Sequence, residues 1–292
     1  MNAFTIKDLE NLSGIKAHTI RIWEQRYAFL KPQRTDTNIR YYSNDELKKL
    51  LNIALLNKYG YKISHINRMT SSEIEDKILT LVQTEAQQEK IVNDLLRNMI
   101  DLDMNAFEVI LDDQIKNKDI DKVIMQVIFP FLEKVGILWV TNHIIPAQEH
   151  LVSNIIRQKL IVGIENINSY MHTNKTALLF LPEGEHHELG LLFACYLFKS
   201  HGLNIFYMGA DSPITDVGFI IKQKLPDLIF THLISLPPNF NFDKFLTSLA
   251  NISGNTPVII SGQIQAHHKK NSYHNISFKH SMADVMEQAS SI

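Results

Sequence analysis

TALLFLPEGEHHELGLLFACYLF (Thr176–Phe198) joins two apolar runs through a polar turn. Thr176–Pro182 has the length and composition of a buried β-strand, and Leu189–Ser200 that of a helix. Between them, GEHHELG (Gly184–Gly190) sets two histidines between two glutamates, with glycine at both ends. The strand–turn–helix order recurs downstream. Asn204–Ala210, Asp227–Ser235, Pro257–Gly262 and Ile276–His280 read as strands. Ile214–Lys224, Asn241–Ala250 and the closing MADVMEQAS read as helices. Such alternation predicts an α/β domain over residues 174–292 with a parallel, doubly wound sheet. Ligands on these sheets bind outside the carboxyl ends of the strands, at the switch point. GEHHELG stands at the carboxyl end of the first strand.

Upstream, the pattern over residues 76–172 is helical. No glycine occurs between Gly60 and Gly136, and Leu, Ile and Val recur at helical spacing. The expected helices are Ser72–Leu81, Gln83–Leu96, Met104–Lys116, Ile120–Thr141 and Ala147–Val162, the last stopped by Gly163. Pro130 should kink or split the fourth. Helices joined by short loops make a four-helix-type bundle. Taken alone, Trp139 reads as core and Glu149–His150 as surface.

The first 72 residues differ again. Phe4–Gly14 is a short amphipathic helix with a glycine stop, and a second, basic helix follows after a tight turn. Ile20, Trp23 and Tyr27 form its apolar stripe, while His18, Thr19, Arg21 and Arg26 lie off it. Trp23 is therefore read as core. This is helix-turn-helix logic. Arg34, Arg40 and Tyr41 fall in a short extended piece, and Ser43 with Glu46 reads as a capping box for the next helix.

Charge follows the same division. Residues 1–70 hold 12 Lys+Arg against 6 Asp+Glu, a balance of +6; the remainder holds 17 against 25, or −8. A basic head on an acidic body points to one module that meets a polyanion. Hydrophobic residues make up 45% and charged residues 21% of the 292, an ordinary globular composition. No apolar run approaches the ~20 residues needed to span a bilayer. The amphipathic N-terminus does not read as a signal peptide, so a cytoplasmic protein with no membrane partner is expected. Cys195 is the one cysteine, which excludes a disulfide framework and a cysteine metal site; inside an apolar helix it reads as a buried hydrophobe. His267–His268, before two lysines, reads as a solvated loop.

Two resemblances sharpen this reading. TIKDLENLSGIKAHTIRIWEQRY, then Pro32, then NIRYY resembles the winged-helix DNA-binding domain of MerR-family regulators. That resemblance implies dimers on pseudo-palindromic promoter DNA, with the helix around His18–Tyr27 in the major groove. Arg21 and Arg26 are then placed to read bases or clamp phosphates, and Arg34, Arg40 and Tyr41 to grip the backbone.

Glu185-x-His187-x-x-Gly190 is similar to the D/E-x-H-x-x-G signature of flavodoxin-like cobalamin-binding domains. There the histidine is the lower axial ligand of cobalt, the acid holds its second nitrogen, and the glycine makes room for the nucleotide tail. Thr231-His232-Leu233 is similar to the family's S-x-L, and Ser261–Gly262 to its G-G turn. Trp139 with Glu149–His150 resembles the W…EH signature of the helical cap over the upper cobalamin face.

The combined order is similar to cobalamin-dependent photoreceptor repressors of carotenoid genes. It implies a transcriptional regulator, not an enzyme, with adenosyl- or methylcobalamin as ligand and a homodimer or tetramer as the assembly. Light-sensing members carry a histidine directly after the tryptophan; Val140 stands there instead, and His143 lies three residues further on. A second reading keeps the regulator without the cofactor, its α/β domain serving as an oligomerisation platform or as one for a protein antirepressor. In both, the domains are expected at 1–72, 76–172 and 174–292.

Overall fold

A computed structural model of the chain describes residues 4–27, 30–35, 37–167, 173–262 and 273–290; His267–His268 lie outside them. The chain divides into two compact units, Met1–Ile155 and Ile156–Ile292.

The first unit opens with α1 (Ile6–Ser13) and α2 (Ala17–Arg26). Thr5 caps α1 in a full capping box with Asp8, and Gly14 closes it in the left-handed conformation. β1 (Gln33–Arg34) and β2 (Arg40–Tyr41) form an antiparallel wing that pairs Arg34 with Arg40. Phe4 adds a bridge to Tyr42 through two backbone hydrogen bonds of 2.9 and 2.8 Å. α3 (Asn44–Lys58) is capped by Ser43 as expected. The reciprocal half of that box is absent, because Glu46 accepts instead from the backbone N–H of Lys31 at 2.8 Å. α4 (Ile63–Ile66) and α5 (Ser71–Leu79) pack against α3.

The bundle follows. α6 (Thr84–Asp101) runs five residues beyond its expected end and stops at Leu102 in the left-handed conformation. α7 is Met104–Asn117. α8 (Ile120–Val123) passes through a π-helical turn, Ile124–Ile128, into α9 (Phe129–Val140). Pro130 sits in the first turn of α9 and brings no N–H, so the helix widens just before it instead of splitting. By length and composition alone, Ile120–Val140 could cross a membrane. Sequence inspection missed this because Glu133 and Lys134 interrupt the run. In the fold, Val123, Val127, Phe131, Val135 and Leu138 are buried, and Lys134 donates to Asn93 at 2.8 Å. It is a bundle core helix. α10 (Pro146–Glu165) continues through Gly163, which does not stop it.

The second unit is a five-stranded parallel sheet, ordered β4-β3-β5-β6-β7. Its elements are β3 (Thr176–Pro182), α11 (Leu189–Ser200), β4 (Asn204–Ser212), α12 (Ile214–Lys224), β5 (Leu228–Leu233), α13 (Phe242–Ser253), β6 (Val258–Gly262), β7 (Ile276–Lys279) and α14 (Met282–Ser290). α11 packs with α14, and α12 with α13. Strand alternation feeds both layers. Leu178, Phe180, Ile229, Leu233, Val258 and Ile260 pack against Val217, Phe245 and Leu249 of the α12/α13 layer. On the other face Phe230 meets Phe198 of α11, ring centroids 5.5 Å apart. β3 has β4 on one side and β5 on the other, so the switch point lies between the loops that follow β3 and β5. GEHHELG is the first of those loops.

Candidate ligand site and DNA-binding surface

Glu185 is fully buried, and five groups converge on its carboxylate. Oε1 accepts from the backbone N–H of His186 (2.9 Å) and of His187 (3.0 Å), and from His187 Nδ1 (2.6 Å). Oε2 accepts from the backbone N–H of Ile234 and of Ser235, both at 2.7 Å, just beyond the end of β5. Burial pulls this carboxyl upward in pKa, but the hydrogen bonds from His187, Ser235 and Ile234 outweigh it and hold the group below the ordinary value. The carboxylate thus fastens the loop after β3 to the loop after β5. It also fixes the tautomer of His187, whose side chain is 55% exposed. With Nδ1 committed to a carboxylate, Nε2 is the nitrogen chemically suited to a metal. His186 is exposed.

Strand alternation separates the remaining sequence candidates. Thr231 and Leu233 belong to the α12/α13 face, where Leu233 is core. Thr231 Oγ1 is buried and has no hydrogen-bond partner among the described residues. His232, between them, turns to the α11 face, and its Nδ1 meets Ser261 Oγ at 2.7 Å. Its ring lies against Gly190: a Cβ there would fall 2.2 Å from His232 Cδ2. Gly190 therefore makes room for a side chain of this chain. Burial pushes the His232 imidazole down to about 4. Gly262 is held at φ +112, and a Cβ on it would strike Leu233 O at 2.0 Å, so its glycine is demanded by β5. The sequence reading missed His232 and the Ser261 hydroxyl. The period of two along β5 and β6 was the signal that pairs them.

In the first unit, Trp139 is 47% and Val140 80% exposed at the end of α9, with Ile145 exposed just beyond. Trp139 is thus a surface aromatic, contrary to its reading from sequence alone. Glu149 and His150 pair with each other at 3.0 Å in the first turn of α10, with the imidazole largely in solvent. His143 is buried, stacks on Phe4 (4.6 Å, 10°) and meets Asp8 Oδ2 at 3.5 Å.

The head's candidates lie on α2 and on the wing. His18, Arg21 and Arg26 are exposed and Thr19 half-buried on α2, whereas Trp23 is core. Arg34 is exposed on β1 and donates to Asn38 at 2.5 Å; Tyr41 is half-buried on β2. Arg40 reaches Glu24 of α2 at 3.6 Å, and Glu24 also accepts from the Tyr42 hydroxyl. One carboxylate thereby locks the wing to the second helix of the motif.

The donor set tests what could be held near Glu185. Among the described residues no group of three or more His, Cys, Asp or Glu side chains is arranged to cage a metal. One oriented imidazole suits a metal that carries its own equatorial ligands and needs a single axial nitrogen. The orphaned Thr231 hydroxyl leaves polar capacity at the same strand end. The residues fit a corrinoid in these respects, and His232 must turn aside for anything to reach Gly190.

Residues 4–73 match the MerR HTH family of regulatory proteins, and residues 91–162 match the B12 binding domain family. The chain is 27% identical to the HTH-type transcriptional repressor CarA of Myxococcus xanthus, over 91% of this chain and 88% of that one. It is 26% identical to the repressor CarH of the same organism, over 91% of each. The monomethylamine corrinoid protein of Methanosarcina barkeri superposes with a TM-score of 0.54 at 12% identity, covering 69% of this chain and 98% of its own. At that identity the likeness is one of fold.

Proposed function

We propose that this chain, a MerR-type helix-turn-helix protein with a B12-binding segment and a homologue of the CarA and CarH repressors, is a DNA-binding transcriptional repressor governed by a cobalamin-type ligand. The curated relatives that span it are transcriptional repressors, not enzymes.

The observation that carries the ligand half is the Glu185–His187 pair. A buried carboxylate with five donors orients one half-exposed imidazole at the sheet's switch point. In this reading His187 Nε2 would be the protein nitrogen that holds the group's metal. Trp139, Glu149 and His150 are the residues proposed to meet the ligand from the helical cap, and the exposed apolar surface at Trp139 and Val140 suits such a contact. The bound group would supply a cobalt centre with an exchangeable upper substituent. The chain's own contribution is to bind it, to hold the proton on His187 Nδ1, and to couple occupancy to DNA affinity by population shift.

On the DNA side, Arg21 and Arg26 of α2 and Arg34, Arg40 and Tyr41 of the wing contact promoter DNA, with His18 and Thr19 at the start of the reading helix. A homodimer or tetramer on pseudo-palindromic half-sites is part of the proposal. A specific observation favours the second reading, a cofactor-free platform for assembly or for a protein antirepressor: the His232 ring, bonded to Ser261, already fills the space beside Gly190.

Absorption after mixing with adenosylcobalamin and desalting separates the two. Retention of a corrin band at one per chain is expected. A colourless protein sinks the cofactor reading and leaves the platform.

A further inference from the structure

The DNA-binding head rests on the bundle in two places. α3 packs on α6, with Lys48–Asp101 (2.7 Å) and Lys58–Glu89 (2.5 Å) at its edges. Those ion pairs are open to solvent and contribute little. The second contact sets α1 against the C-terminal end of α9. It is small, buried and specific, and it lies four residues after Trp139.

At its centre is His143. The N–H of His143 donates to Leu138 O (2.8 Å), closing the turn that follows α9. Its Nδ1 lies 2.8 Å from Thr141 Oγ1, in that same turn. Nε2 faces Asp8 Oδ2 at 3.5 Å, and one face of the ring stacks on Phe4. Both partners are already committed to the head. Asp8 Oδ2 accepts from Thr5 N–H (2.7 Å) and from the Thr5 hydroxyl (2.6 Å), which fixes the start of α1. Phe4 is fully buried and bridges Tyr42, and the Tyr42 hydroxyl reaches Glu24 of α2, where Arg40 also docks. A continuous set of packed and hydrogen-bonded groups thus runs from the turn beside Trp139 and Val140, through His143 and Phe4, to the wing and the second helix of the motif.

We infer that His143 is a positioning residue for DNA binding: it transmits the arrangement of the α9–α10 turn to the wing and α2. The inference rests on the reading above for what the turn senses and what the head binds. It assigns His143 to the head and not to the cobalt. A ligand that shifts Trp139 or Val140 moves the turn, and with it the seat of Phe4 against Tyr42.

The test uses the full chain and a DNA duplex selected by the wild-type protein from a random-sequence pool. His143→Phe keeps the stack and loses the Asp8 contact; His143→Gln keeps a polar donor and loses the stack. In ligand-free protein, at least one variant should bind the duplex about 2- to 30-fold differently from wild type. Amides of Ile6–Ser13 and Arg40–Tyr42 should exchange faster, while those of α6 and α7 stay as in wild type. Wild-type affinity and exchange in both variants overturn the inference. If one variant does not fold, the other decides.

The second arm adds adenosylcobalamin. The ligand-dependent change in duplex affinity should shrink in the variants although corrin uptake is unchanged; an undiminished change overturns the inference. A wild-type protein that takes up no corrin refutes the cofactor reading, and the ligand-free arm then decides the role of His143 alone.

Discussion

Among the described residues, two carboxylate–histidine pairs, Asp8–His143 and Glu185–His187, differ in exposure in opposite ways. In the first, both side chains are buried, at 6% and 9% exposure. In the second the carboxylate is at 0% and the imidazole at 55%. The carboxylates do similar work: each anchors local backbone N–H groups, Thr5 in one case and four amides in the other. The imidazoles do not. His143 has its ring face on Phe4 and is spent on packing, whereas His187 is oriented by its partner and presented to solvent. In the readings proposed above, the same two groups serve as a joint where the ring is covered and as a ligand site where it is not.

The largest effect expected from breaking this comparison is at Glu185. Glu185→Ala leaves four backbone N–H groups and an imidazole without their acceptor, in a buried setting. A loss of roughly 4 kcal/mol or more from the α/β unit is expected, read from amide exchange in β3 and β5. A loss below about 1 kcal/mol would show that water replaces the carboxylate, and that the two loops are not held by it.

Next is the response to acid. His232 is neutral in the fold, with its pKa pushed down to about 4 by burial against an ordinary 6.5. The unfolded chain therefore takes up its proton first. Stability is complete above about pH 6.5, falls as pH drops toward 4 by roughly 3 kcal/mol, and levels below that. Opening free energies of β5 and β6 amides across that window measure it. His232→Phe should flatten the slope; a slope that persists belongs to another group.

Asp8→Ala is the counterpart of the Glu185 variant in the first unit. It removes the reciprocal half of the Thr5 capping box and the partner of His143. About 2 kcal/mol is expected, half of it from the cap. The cost is smaller than at Glu185 because one N–H, not four, is orphaned. Thermal unfolding followed by circular dichroism checks the ranking, and an Asp8 variant costlier than Glu185→Ala would reverse it.

These differences also mark how far the sequence could be read. β3, α11 and α12 lie at their expected bounds, because an apolar run flanked by Pro, Gly or Lys has few alternatives. Ser43 capped α3, but Glu46 went to Lys31, since a long side chain chooses among partners that only the fold supplies. Gly163 did not stop α10, because a helix buried along Val152, Ile156 and Leu160 tolerates an interior glycine. At the site, Glu185 with His187 was legible because two residues apart on one turn is a local relation. His232 over Gly190 was not, being a contact across 42 residues that strand parity alone could suggest. Asp8 with His143 spans 135 residues, and no spacing rule reaches that far.

The smallest effect on stability, and the sharpest on function, belongs to His187→Ala. The ring is more than half exposed, and its removal leaves Glu185 with its four backbone donors in place. Stability should stay within about 0.5 kcal/mol of wild type. Adenosylcobalamin affinity should nevertheless fall by at least 10-fold, and the residual complex should show the spectrum of a corrinoid with its own base or water below the metal. Glu185→Gln, which keeps the side chain's shape but loses the charge that sets the His187 tautomer, should weaken binding by about 10- to 100-fold. A His187→Ala protein with unchanged affinity and spectrum removes this histidine as the ligand. The exposed ring would then be only the outer end of a structural pair, and the two carboxylate–histidine pairs would differ in solvent contact without differing in task.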